Sequence, residues 1–180
     1  VTTLNSVNSA TQIAQFDNVQ SAVTNFGMTN TAVGLTANIL NTALAGTDDA
    51  ATLTLNGVTA GTVTLQTITA ASGYETLNIV SSGNTANVLT AVTDGNGTSL
   101  ATINVSGTAA INLGTTLDAT VLTVNAADLS GILTVVQTNA VKTTITGGSG
   151  ADIIDISGAF VDLTDPTNAD VINGGAGTDT

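Results

Sequence analysis

The chain has no cysteine, no histidine and no tryptophan, a single proline, a single tyrosine and a single base, Lys142. Each of these gaps closes off a kind of chemistry. Without cysteine there are no disulfides and no thiolate zinc sites. Without histidine as well, Ser-His and Cys-His nucleophile pairs and imidazole metal sites cannot be assembled from these residues. One base cannot neutralise a phosphate backbone or hold an anionic bilayer, so nucleic acid is not an expected partner and anionic membrane surfaces are disfavoured. Aromatic residues make up 2% of the sequence. The core therefore cannot rest on large ring anchors, and sugar platforms built on aromatic faces are disfavoured. No apolar run approaches the roughly 18 residues of a membrane span, so no span is expected.

What remains is acidic and built from small residues. Thirteen acids, all aspartate except Glu75, give a net charge of −12 over 180 residues. Such a chain repels itself, and multivalent cations are the natural remedy. Calcium leads, because it takes carboxylate and carbonyl oxygens and the sequence offers few other ligands. Paired carboxylates of the glycosidase type are conceivable at Asp48, Asp49 and Glu75, but exposed turns explain these residues better and no enzyme is expected. The acceptor patterns NGT at Asn96 and NVS at Asn104 are common by chance in a chain so rich in Thr and Asn. The sequence begins at Val1 without a charged and apolar leader pattern and stops inside a motif at Thr180, so it reads as part of something longer.

The apolar residues are mainly Ala, Val, Ile and Leu, dispersed in short alternating runs, which predicts an all-β fold. Residues 1–50 are a poorly defined β-rich segment. FDNVQSAV and TANILNTALAG could form helical turns, whereas VGLTANI (Val33–Ile39) alternates like a strand, and strand is preferred. TLTLNGVTAGTVTLQTI (Thr52–Ile68) gives two paired or successive strands around a glycine-containing connection.

Over residues 51–146 the vocabulary recurs. TLNIVSSG, ATINVSGT, VLTVNAAD and KTTITGGS align on Ile79, Val105, Val124 and Ile145, with ANVLTAV, AAINLG and GILTVVQ between them. Two short β runs in about 20 residues predict the coils of a parallel β-solenoid or β-roll, in which each unit buries its apolar face only against its neighbours. An antiparallel β-sandwich is the alternative.

Residues 147–180 carry the chemistry. GGSGADIID (Gly147–Asp155) matches the calcium-binding nonapeptide GGxGxD with an apolar residue two positions later, here Ile154, and GGAGTDT (Gly174–Thr180) repeats it. Glycines allow a tight turn that aims carbonyls at an ion, Asp152 adds charge, and Ile154 should turn into the core. Asp155 closes the first nonapeptide. Between the motifs, SGAFVDLTD places Asp162, and DPTNADVIN places Asp170, at the aspartate position, with Ile172 in the apolar slot. With two nonapeptides per coil, Asp152 should stack with Asp170 and Asp162 with Asp179. The competing reading makes Asp155–Asp170 an acidic surface loop around Pro166.

TGGSGADIIDISG and ADVINGGAGTDT, preceded by YETLNIVSSG and LATINVSGTAAINLG, resemble the RTX-type surface-layer (S-layer) proteins of Gram-negative bacteria. The resemblance covers roughly residues 50–180. It implies a secreted, extracellular protein of the bacterial cell surface, exported by a type I system, that folds on meeting calcium and self-associates into a lattice. Anchoring to a cell-surface polysaccharide would fall to parts outside this chain. The family's ion ligands carry over as Asp152 and Asp179 with the backbone of Gly147, Ser149, Gly150, Gly174, Ala176 and Gly177.

Overall fold

The computed structural model describes residues 1–69, 72–95, 99–138, 141–156 and 169–180. It is an all-β solenoid in which every strand pair is parallel. The antiparallel sandwich is thereby set aside. A parallel pair needs a crossover, and here the crossover is the rest of the coil.

The broad first sheet stacks eight strands in the order β1 (Thr3–Val7), β3 (Asn25–Thr29), β5 (Ala50–Asn56), β7 (Thr76–Ser82), β10 (Thr102–Gly107), β13 (Thr123–Leu129), β15 (Thr144–Thr146) and β17 (Val171–Asn173). A second sheet joins β2 (Ala14–Val19), β4 (Leu35–Ile39), β6 (Thr62–Thr67), β9 (Ala91–Thr93) and β12 (Thr116–Leu117). A third, beginning further along the chain, joins β8 (Asn87–Val88), β11 (Ile111–Asn112), β14 (Leu133–Val136) and β16 (Ile153–Asp155). Residues 1–50 thus supply β1–β4, which continue into the same sheets as the later strands. Helical turns survive there only as a 3₁₀ turn at Asn41–Ala43.

Alternation explains the stacking. In a strand successive side chains face opposite sides, so Thr and Asn point outward while Leu, Ile and Val point in. Inward residues fall into columns: Leu4, Phe26, Leu53, Ile79 and Val105 in one, and Ala51, Leu77, Ile103, Val124 and Ile145 in another. Each coil covers the apolar side chains of the one before, and the core from Val23 to Ile145 forms one cluster. Two of the few rings meet here: Phe26 and Tyr74 pack edge to face with centroids 6.0 Å apart, and the Tyr74 hydroxyl donates to the Val23 carbonyl at 2.5 Å.

The coil length varies. Thr76 and Thr102 are partners 26 residues apart, Thr102 and Thr123 are 21 apart, and Thr144 and Val171 are 27 apart. This corrects one alignment: Val124 pairs with Ile103 rather than Val105. A slip of two residues keeps every side chain on its face, so alternation alone cannot reveal it. A bulge between Asn104 and Ser106 then shifts the register so that Ser106 lies opposite Asp128.

Candidate metal site

The two glycine turns lie one above the other, each leading out of the first sheet. Gly147 donates to the Asn173 carbonyl at 2.7 Å, Ala176 to the Gly148 carbonyl at 2.9 Å and Thr180 to the Asp152 carbonyl at 2.9 Å. A side chain at Gly148 or Gly150 would collide with the Leu129 or Gly131 carbonyl below, and one at Gly175 or Gly177 with the Gly148 or Gly150 carbonyl. The motif's glycines are therefore required first by the closeness of successive coils.

This arrangement corrects the expected stacking. The 27 residues from Gly147 to Gly174 make one coil, so Asp152 stands against Asp179: its N–H donates to Asp179 Oδ1 at 2.9 Å. Asp170 instead lies one corner earlier, where its Oδ1 accepts from the N–H and hydroxyl of Thr143 at 2.8 and 2.9 Å. The first GGxGxD stretch leads into a single strand, β16, and the pairing of β15 with β17 brings the second stretch into line 27 residues on, so a nonapeptide does not fill half a coil. Asp162 and most of the competing acidic loop lie outside the described residues.

The carboxylates have distinct surroundings. Asp152 is fully buried, with Oδ1 accepting from the Leu133 N–H at 2.8 Å and Oδ2 from the Gly148 N–H at 2.6 Å. Asp179 is half-buried, and among the described residues nothing donates to its Oδ2. Asp170 Oδ2 is buried and has no hydrogen-bond partner among the described residues. Asp155 is exposed in β16, its carbonyl accepting from the Gln137 N–H, and Ser149 is exposed in the turn. Ile154 packs against the core as a partly buried residue, while Ile153 points out.

A pattern that sequence reading missed links these acids to others. The Glu75 carboxylate accepts the Asp49 N–H at 2.6 Å, and Asp118 Oδ2 accepts the Asp94 N–H at 3.2 Å. With Asp152 on Leu133, Asp170 on Thr143 and Asp179 on Asp152, each carboxylate takes an N–H from the coil before it. Five corners thus satisfy backbone donors that the ladders leave over. Asp49 and Glu75 belong to this device, Asp49 Oδ2 also accepting the Gly46 N–H at 3.2 Å in a turn where Asp48 is exposed. The recurrence of acids at about one coil length, as at Asp49 and Glu75, was the available signal.

Calcium asks for several hard oxygens. The donor chemistry fits at Asp179, whose Oδ2 lies against Gly174 and takes no hydrogen bond from a described residue, and at Asp170, whose buried oxygen, without a partner among the described residues, is one that a cation would satisfy. Asp152 fits less well as a ligand, since both oxygens already hold backbone N–H groups. Among the described residues no three acidic side chains converge. Any ion here must draw most of its ligands from the backbone. Comparison with protein-family models, with curated proteins and with solved structures gives no match. No described helix is long and apolar enough to cross a membrane.

Proposed function

We propose that this chain is a structural segment of a calcium-dependent, extracellular surface layer or matrix of the S-layer type, in which solenoids self-associate into a lattice. The observation that carries the reading is the in-register stacking of two GGxGxD turns one coil apart, with a half-buried carboxylate oxygen at Asp179 to which no described residue donates and, among the described residues, a buried unsatisfied one at Asp170. A bound calcium would supply positive charge among stacked carbonyls and carboxylates and so hold the last coils together. Asp179 and Asp170 would contribute the carboxylate oxygens, with the carbonyls of the Gly147–Gly150 and Gly174–Gly177 turns around them. Asp152 holds the turn from within.

Folding is then conditional on location, because an ion that binds only the folded chain stabilises it by RT ln(1 + [L]/Kd). A chain exported unfolded through a type I route and ordered by external calcium is the consequence, with the bacterial cell surface as its place of work. A rod of repeating coils with threonine- and asparagine-rich faces suits a building unit.

The test is a calcium titration of the chain with magnesium as control, following circular dichroism and particle size together. Calcium-specific gain of β structure with regular assembly supports the reading. Ordering without assembly moves the function to a calcium-stiffened adhesin stalk or the carrier region of a secreted enzyme, and no response to calcium overturns the metal site.

A further inference from the structure

The broad first sheet turns an unpartnered face outward, and its residues differ from the rest of the surface. Its eight strands carry one charged residue, Asp128, at the turn end of β13 beyond the bulge. Of the other described acids, Asp17 and Asp155 lie in strands of the other two sheets, and the rest occupy turns and corners. In a chain of net charge −12, two copies can approach closely only where charge is missing. Among the described residues the first sheet, with eight strands against five and four, is the broadest of the three.

The face is also prepared for desolvation. Its outward positions form columns: Thr76, Thr102, Thr123 and Thr144 in one, and Thr52, Asn78, Asn104, Asn125 and Thr146 in the next. Within the second column Asn104 Nδ2 donates to Asn78 Oδ1 at 2.9 Å. Amides that hydrogen-bond along the stack lose less when water leaves, which is what lets asparagine ladders line dry interfaces between sheets. Seven strand spacings by about five residues give a face of roughly 35 by 16 Å, so face-to-face contact would bury on the order of 1,000 Å² in total. That is the lower limit for a specific interface, suited to a contact repeated many times in an assembly.

We infer that the outer face of the eight-stranded sheet is the contact through which a second copy of this chain docks, sheet against sheet. The inference rests on the self-association proposed above and assigns it a surface. Thr102→Glu and Thr54→Glu place like charges in that contact, while Thr64→Glu makes the same change on the second sheet.

The full chain in millimolar calcium is followed by sedimentation velocity across a concentration series. The expected result is weakening of self-association by about tenfold or more for the two first-sheet variants and none for Thr64→Glu. Thr54→Glu, at a more exposed position, carries the test if Thr102→Glu alters the circular dichroism spectrum. Because the chain has no cysteine, Thr102→Cys provides one thiol, expected to form a covalent dimer on mild oxidation. Equal assembly of wild type and both glutamate variants, with no cross-link, overturns the inference and leaves the proposed function standing. A wild type that stays monomeric throughout overturns both.

Discussion

The turns Gly147–Asp152 and Gly174–Asp179 share one motif and differ in nearly everything the motif is supposed to determine. In the first, the aspartate is fully buried and spends both oxygens on backbone N–H groups. In the second, the aspartate is half-buried and keeps one oxygen to which no described residue donates. The backbones differ too: Gly175 and Gly177 have φ of 89° and 126°, whereas no glycine of the first turn has a positive φ in the left-handed region. A GGxGxD stretch therefore specifies a close-packed turn with a carboxylate at its end. Whether that carboxylate caps the chain or offers itself to an ion depends on the coil below it.

The most damaging way to break this comparison is Asp152→Ala. It strands the buried N–H groups of Leu133 and Gly148, each costing about 1 to 3 kcal/mol, so a loss of about 3 kcal/mol is expected in calcium-free buffer. Asp179→Ala should lose less than about 1 kcal/mol under the same conditions, since it removes one acceptor from a half-buried site. Denaturant unfolding of both variants with a chelator present checks this. Equal losses would erase the distinction between cap and ligand.

Next comes Gly147→Ala against Gly174→Ala. An added methyl at Gly147 meets the Gly174 carbonyl and Asp152 Oδ2, both fixed, whereas at Gly174 the three nearest atoms all belong to the Asp179 side chain. The first substitution should cost about 2 kcal/mol and the second much less, read as the difference in unfolding midpoint. Gly174→Ala should nevertheless weaken any calcium response, because the side chain that moves is Asp179.

Much of this was legible in the sequence. The Thr/apolar alternation of TLTLN and TLNIV specified strands with one buried face, and the recurrence of such runs specified a stack. Coil length was not legible, because the inward columns of Ile103 and Val105 are interchangeable to any pattern of period two. The same ambiguity placed Asp170, rather than Asp179, against Asp152: counting nonapeptides assumes that each fills half a coil. Hidden as well was the use of acids as caps, since a carboxylate holding a neighbouring coil's N–H leaves no local mark. Asp49 and Glu75 look like a surface pair until the coils are stacked.

Asp179→Asn sharpens the comparison more gently. It keeps size and one acceptor but removes the charge, so stability in chelator should hardly change while the calcium-induced rise in melting temperature shrinks. Asp152→Asn should do the reverse, lowering stability equally with and without calcium. Thermal scans of the two variants at matched calcium concentrations separate these outcomes. A calcium response lost at Asp152 and kept at Asp179 would return the ligand role to the buried turn.

The smallest effect concerns a corner outside both turns and tests whether capping by carboxylates is general. Burial pushes the Asp118 carboxyl up, yet the N–H and hydroxyl of Thr120, the Thr93 hydroxyl and the Asp94 N–H together hold it below the ordinary aspartate value of 3.8. A carboxyl lowered in the folded state favours folding at every pH above its unfolded value. That contribution is lost only as pH falls below 3.8 and through the lower folded value. The wild type should thus lose stability as pH falls below about 4 more steeply than Asp118→Asn, which has no proton to take up there. Unfolding midpoints measured across that range in chelator decide the matter. Parallel curves would mean that Asp118 caps its neighbour no better charged than neutral, and the corner acids would then owe their place to shape alone.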